Sequence, residues 1–129
     1  MSVNIFVDTK DLVEIDAYAY EGEGGLSVVL DASEVPADTE AETLKFSFRK
    51  PNHKDSVLLT SSTISLGEAG VTGLDVIKLQ DECFRVLLIK WNIKSADGKT
   101  VPITRKAVDE LHPNVVRTVA GELLGKIQF

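Results

Sequence analysis

Apolar and polar positions change period near the middle of the chain. From Leu44 to Arg49 they alternate, with Leu44, Phe46 and Phe48 on one face and Lys45, Ser47 and Arg49 on the other. That pattern predicts a half-buried strand in an antiparallel sheet with one wet side. Val3–Val7 reads as a short strand. Leu12 to Tyr20 alternates in part, setting Val13, Ile15, Ala17 and Ala19 against Glu14, Asp16, Tyr18 and Tyr20. Gly22-Glu23-Gly24-Gly25 is a turn, and Leu26–Leu30 a further strand. Asp31 to Glu42 is acidic, contains Pro36 and reads as an exposed loop.

After Pro51, a residue suited to a helix start, the period becomes helical. A helix is expected over Lys54–Ile64 with Val57 and Leu58 inward, then a break at Ser65–Gly70. A longer core helix is expected from Thr72 to Trp91. On it Ile77, Phe84, Leu87, Leu88 and Trp91 fall near one stripe, with Lys78, Asp81, Glu82 and Arg85 largely elsewhere. Asp97-Gly98 marks a tight turn. Thr104 is the expected N-cap of a short helix to Leu111, which His112-Pro113 ends. Asn114 is the expected cap of a last helix, Val115–Lys126. Val115, Val116, Val119, Leu123, Leu124 and Ile127 keep helical spacing there. The sum is an α+β fold, an N-terminal antiparallel β-sheet followed by a three- to four-helix C-terminal unit. It is expected to be one domain over residues 1–129, strand-rich and acidic to residue 50 and helical beyond.

Charge adds an asymmetry to this picture. Residues 1–43 hold 11 acids and one base, whereas residues 44–129 hold 13 bases and nine acids. The acidic half would repel phosphate, so nucleic acid is not an expected partner. It serves as a solvated surface, or as a face for a basic partner or another copy's basic half. The longest apolar run, Val86–Ile89, is closed by Lys90 and falls far short of the roughly 20 residues that span a bilayer. The opening residues have no basic segment followed by an apolar one, so no secretory signal is read. A lone Cys83 on an apolar helical face excludes an intrachain disulfide and a cysteine-based metal site, and points to a cytoplasmic setting.

Reaction chemistry is hard to assemble from these residues. His53 and His112, the only histidines, share no metal-binding or metalloprotease spacing. His53 sits at a helix start and His112 at a helix end, where a cation is favourable. Gly22–Gly25 lacks the Lys-Ser/Thr pair of a phosphate loop, and Glu21 and Glu23 would repel phosphate. Ser95–Lys99 lacks the repeated acids of a calcium loop, and Ser61 lacks a nucleophile-elbow context. The expectation is no catalysis, no metal, no cofactor and no small-molecule substrate. Trp91, the single tryptophan, is a packing residue or an interface anchor, and the last helix packs internally or faces another chain.

Two segments carry a family resemblance. One is Phe46-Ser47-Phe48-Arg49-Lys50-Pro51 followed by Asp55 and Leu58-Leu59. The other is WNIKSADGKTVPITRKAVDELHPNVVRTVAGELLGKI, read as an apolar helix ending in Trp-Asn, a polar turn with Asp-Gly-Lys, Val-Pro-Ile-Thr, a short helix, a proline break and a last amphipathic helix. Together they resemble tail assembly chaperones and related small morphogenesis proteins of tailed bacteriophages, over about residues 44–129. The resemblance implies a protein that covers apolar helices of the tape-measure protein while tail-tube subunits assemble, in the host-cell cytoplasm. Its partners would be other phage structural or assembly proteins, with self-association as a further contact. Phe84, Leu88, Trp91, Val116, Val119 and Leu123 are the candidate partner interface. The alternative within the same setting is a structural virion subunit of capsid, neck, tail tube or baseplate.

Overall fold

A computed structural model describes residues 5–8, 10–67 and 70–127. Strands β1 (Leu12–Gly22), β2 (Gly25–Val29) and β3 (Glu42–Arg49) join a later strand, β6 (Leu88–Trp91), in one antiparallel sheet of order β2-β1-β3-β6. The β1–β3 register sets Val13 against Phe48, Ile15 against Phe46 and Ala17 against Leu44. All six are buried, because alternation sends them to the same face. Glu14 faces Ser47 and Asp16 faces Lys45 on the opposite, polar face. The fold class is therefore α+β, a sheet near the N-terminus followed by helices.

The helices are α1 (His53–Thr63), α2 (Val76–Leu87), α3 (Arg105–Asp109) and α4 (Pro113–Lys126). α2 and α4 pack on each other. α4 covers β1 and β2, and α2 covers β3 and β6. Phe84 of α2 meets Phe46 and Phe48 edge-on, with ring centroids 5.7 and 5.6 Å away. Leu79, Cys83 and Leu87 complete the buried line of α2, and Val115, Val119, Ala120 and Leu123 that of α4.

Several sequence expectations need correction. Residues 5–8 are not a strand, and the rest of Val3–Val7 lies outside the described residues. The acidic segment holds a 3-10 turn, Ala32–Glu34, capped by Asp31, and Glu42 already belongs to β3. The expected break after α1 falls on a hairpin of β4 (Ile64–Gly67) and β5 (Gly70–Leu74). The expected Thr72–Trp91 helix is three elements, β5, α2 and β6. Asp75 caps α2, accepting the Lys78 N–H at 3.0 Å.

Leu88 and Trp91 mimic a helix because they are three residues apart and both buried. In a regular strand they would point to opposite faces. The register shift beside Ser47 takes up one extra residue, so Phe46 pairs with Trp91 and Phe48 with Leu88.

Burial on α1 is also displaced. Asp55 and Leu59, one turn apart, face inward, while Val57 and Leu58 are about half exposed, at 52% and 51%. Asn52 and Asp55 close the first turn reciprocally. Each backbone N–H donates to the other's side-chain oxygen at 3.0 Å. At α4, His112 and not Asn114 is the cap. Its Nδ1 accepts the Asn114 N–H at 3.1 Å, with Pro113 in the first turn. His112 thus stands at a helix start rather than serving a helix end. Asn114 is freed to donate to the Leu26 carbonyl of β2 at 2.9 Å. Thr104 caps α3 as expected, accepting from Ala107 at 3.0 Å.

Candidate interaction groove

The residues expected to form a partner interface are mostly interior. Phe84, Leu88, Trp91, Val119 and Leu123 are buried in the core between the sheet and the α2–α4 layer. Their helical or strand-like periodicity marks burial, and burial against the chain's own sheet leaves no exposed groove there. Trp91 is further held by its indole N–H, which donates to the Val101 carbonyl at 2.7 Å. Next to it, Asn92 prolongs the β6 ladder with its side chain. Its Oδ1 accepts from Lys45 N–H at 2.8 Å and its Nδ2 donates to the Thr43 carbonyl at 3.0 Å.

Val116 is the exception, and it leads to a groove of about 380 Å³ where α2, α3 and α4 meet. Ile77, Leu111, Pro113 and Val116 supply its apolar surface, and Lys78 and Arg117 its exposed cations. Ile77 is 70% exposed and its neighbour Val76 54% exposed. Both lie in the first turn of α2. Helical spacing alone assigns Ile77 to the core stripe, and the structure corrects this. Seven residues separate it from Phe84, so the two side chains point within roughly 20° of each other on the helix. They differ along the axis by two turns, about 10 Å. Phe84 lies over the sheet and Ile77 stands at the exposed end.

Arg85 braces the groove. Its Nε donates to both Asp81 oxygens, at 3.0 and 3.1 Å, and its Nη2 pairs with Asp109 of α3. Partial burial works against its charge, yet the hydrogen bonds it donates to Asp109 and Asp81, with the charges of those carboxylates, outweigh burial and raise its pKa above the ordinary value. The buried Nη1 has no partner among the described residues. Arg85 pairs with both carboxylates, and Lys78 and Arg117 bring the groove lining to a net charge of +1, three cations against Asp81 and Asp109. Neither Lys78 nor Arg117 has an ion-pair partner among the described residues.

The other polar centre is structural. Arg49 at the end of β3 forms a two-pronged pair with Asp55 (Nη2 to Oδ1, 2.9 Å) and donates to the Val86 carbonyl at 3.3 Å. This ties β3 to α1 and α2. The Arg49 hydrogen bond lowers the Asp55 carboxyl below its ordinary value, against the opposing effect of burial. Cys83 is fully buried, and burial with the nearby Glu82 charge pushes its thiol up to about 11. His53 is exposed at the start of α1, on an open cavity of about 560 Å³ shared with Lys50, Ser56 and Lys126. Among the described residues, no three His, Cys, Asp or Glu side chains are grouped to hold a metal, and no helix is long and apolar enough to cross a membrane.

The sequence signal for this groove is present only in part. Asp75 as a cap starts α2 at Val76 and places Ile77 in an exposed first turn. The meeting of Ile77 with Leu111 and Val116 depends on how α3 turns back, which no local pattern encodes. Comparison of the chain with protein-family models, with curated proteins and with solved structures found no match.

Proposed function

We propose that this chain is a non-catalytic morphogenesis protein of a tailed bacteriophage, a tail assembly chaperone for the tape-measure protein. The groove between α2, α3 and α4 is its client site. One observation carries this reading: Ile77 stands exposed on a groove that the half-buried Leu111 and Val116 also line. Aliphatic side chains lining a shallow groove suit the apolar face of an amphipathic helix. Lys78 and Arg117 on the rim favour a helix whose polar face is acidic. The residues that bind the client are therefore Ile77, Leu111 and Val116 together with the two cations, rather than the buried aromatic residues.

Ile77→Asp with Arg117→Glu, both at exposed positions, should abolish co-purification of the co-expressed tape-measure protein while leaving the thermal melt near wild type. Undiminished co-purification would refute the client site. A structural virion subunit is the second reading, favoured by the split of an acidic first third from a basic remainder. Mass spectrometry separates the two. Presence in infected-cell lysate with absence from purified particles supports the chaperone, and stoichiometric presence in particles replaces it with the subunit.

A further inference from the structure

We infer that the α2–α3–α4 groove also receives the acidic lobe, residues 31–42, of a second copy of this chain. The two surfaces match in composition. The groove is lined by the cations Lys78 and Arg117 together with the apolar Ile77 and Val116. Along the lobe Asp31 and Glu34 precede Val35-Pro36-Ala37, and Asp38 and Glu40 follow. These four acids are exposed, and no lobe acid has an ion-pair partner among the described residues. The lobe thus presents unpaired negative charge beside apolar side chains, the groove a net positive lining beside its own, and each supplies what the other lacks.

The lobe is built before it binds. Asp31 accepts the Ser33 N–H at 2.9 Å, Val35 N–H donates to the Ala32 carbonyl at 3.2 Å, and Thr39 N–H donates to the Pro36 carbonyl at 3.3 Å. Asp38 holds the left-handed conformation, φ 61°, that closes this turn. A surface already ordered loses little conformational entropy on docking. Because groove and lobe are different surfaces, the contact is heterologous. It adds copies head to tail unless the rotation closes a ring. It uses the groove of the proposed function, so a client and a second copy would exclude each other.

The test is sedimentation velocity on the full chain over a concentration series. Wild type should associate beyond its 14.0 kDa protomer at low salt. Going from about 0.05 M to about 0.5 M salt should weaken association about tenfold. Lys78→Glu with Arg117→Glu should do the same, as should Glu34→Lys with Glu40→Lys, with both pairs at exposed positions. Mixing the two variants should restore association, since each reversed surface then meets its complement. A monomeric wild type at low salt, insensitivity to both reversals, or no restoration on mixing would each overturn the inference. A monomer that still binds the tape-measure protein would remove self-docking and leave the proposed function standing.

Discussion

Phe84 and Ile77 point the same way from one helix and should differ sharply in what they hold together. Phe84 is fully buried and touches the rings of Phe46 and Phe48. A buried aromatic side chain removes roughly 200 Å² from water, worth about 5 kcal/mol at about 25 cal/mol per Å². Alanine keeps a small share, so Phe84→Ala should cost about 4 kcal/mol, inside the usual range for such truncations. At about 2.1 cal/mol/K per residue, the 129 residues give an unfolding entropy near 0.27 kcal/mol/K and a fall in Tm of about 15 °C. Ile77→Ala removes a side chain that is 70% exposed and gains helix propensity, so its cost should stay below about 0.5 kcal/mol. Urea unfolding followed by circular dichroism measures both, with the m-value held constant as the check that only stability moved. Comparable costs for the two variants would refute the placement of α2 against the sheet, and with it the groove.

Three further outcomes follow from the same packing. Asp55→Asn should cost about 2 kcal/mol by breaking the Arg49 pair and weakening the Asn52 cap. Because the folded carboxyl lies below its ordinary value, its contribution is complete above that value and lost as pH falls through the lower folded one. Wild type should therefore lose stability in acid more steeply than Asp55→Asn, as acid titrations at fixed urea would register. Cys83 should resist a thiol reagent in the native protein and react on unfolding, and rapid native labelling would contradict its burial. Trp91→Phe should cost about 1–2 kcal/mol, since it strands the Val101 carbonyl and leaves indole volume unfilled. Native fluorescence matching that of the urea-unfolded wild-type chain would show the indole to be exposed instead.

Much of the sheet is legible in the sequence because its signal is local and has period two. Leu44, Phe46 and Phe48 announce their shared face within six residues, and Val13, Ile15 and Ala17 do the same on β1. The helix caps make the complementary point. Thr104 needs only the N–H three residues on. Asn114 is an equally good cap in isolation, yet its amide is drawn to Leu26, 88 residues away, and His112 does the capping.

From residue order alone came the α+β class, the inward faces of β1 and β3, and the amphipathic last helix. Each follows from a repeat that one segment carries by itself. The tertiary structure decided the rest. Leu88–Trp91 became a strand because β3 had an open ladder and a bulge could turn both apolar side chains inward. Phe84, Leu88, Trp91, Val119 and Leu123 became core because the chain's own sheet and helices close over them. Ile77 remained exposed in the first turn of α2, while Val116 ended half-buried at the edge of the core. A hydrophobic pattern specifies which side chains avoid water, but only the packed fold determines whether the surface that shields them belongs to the same chain.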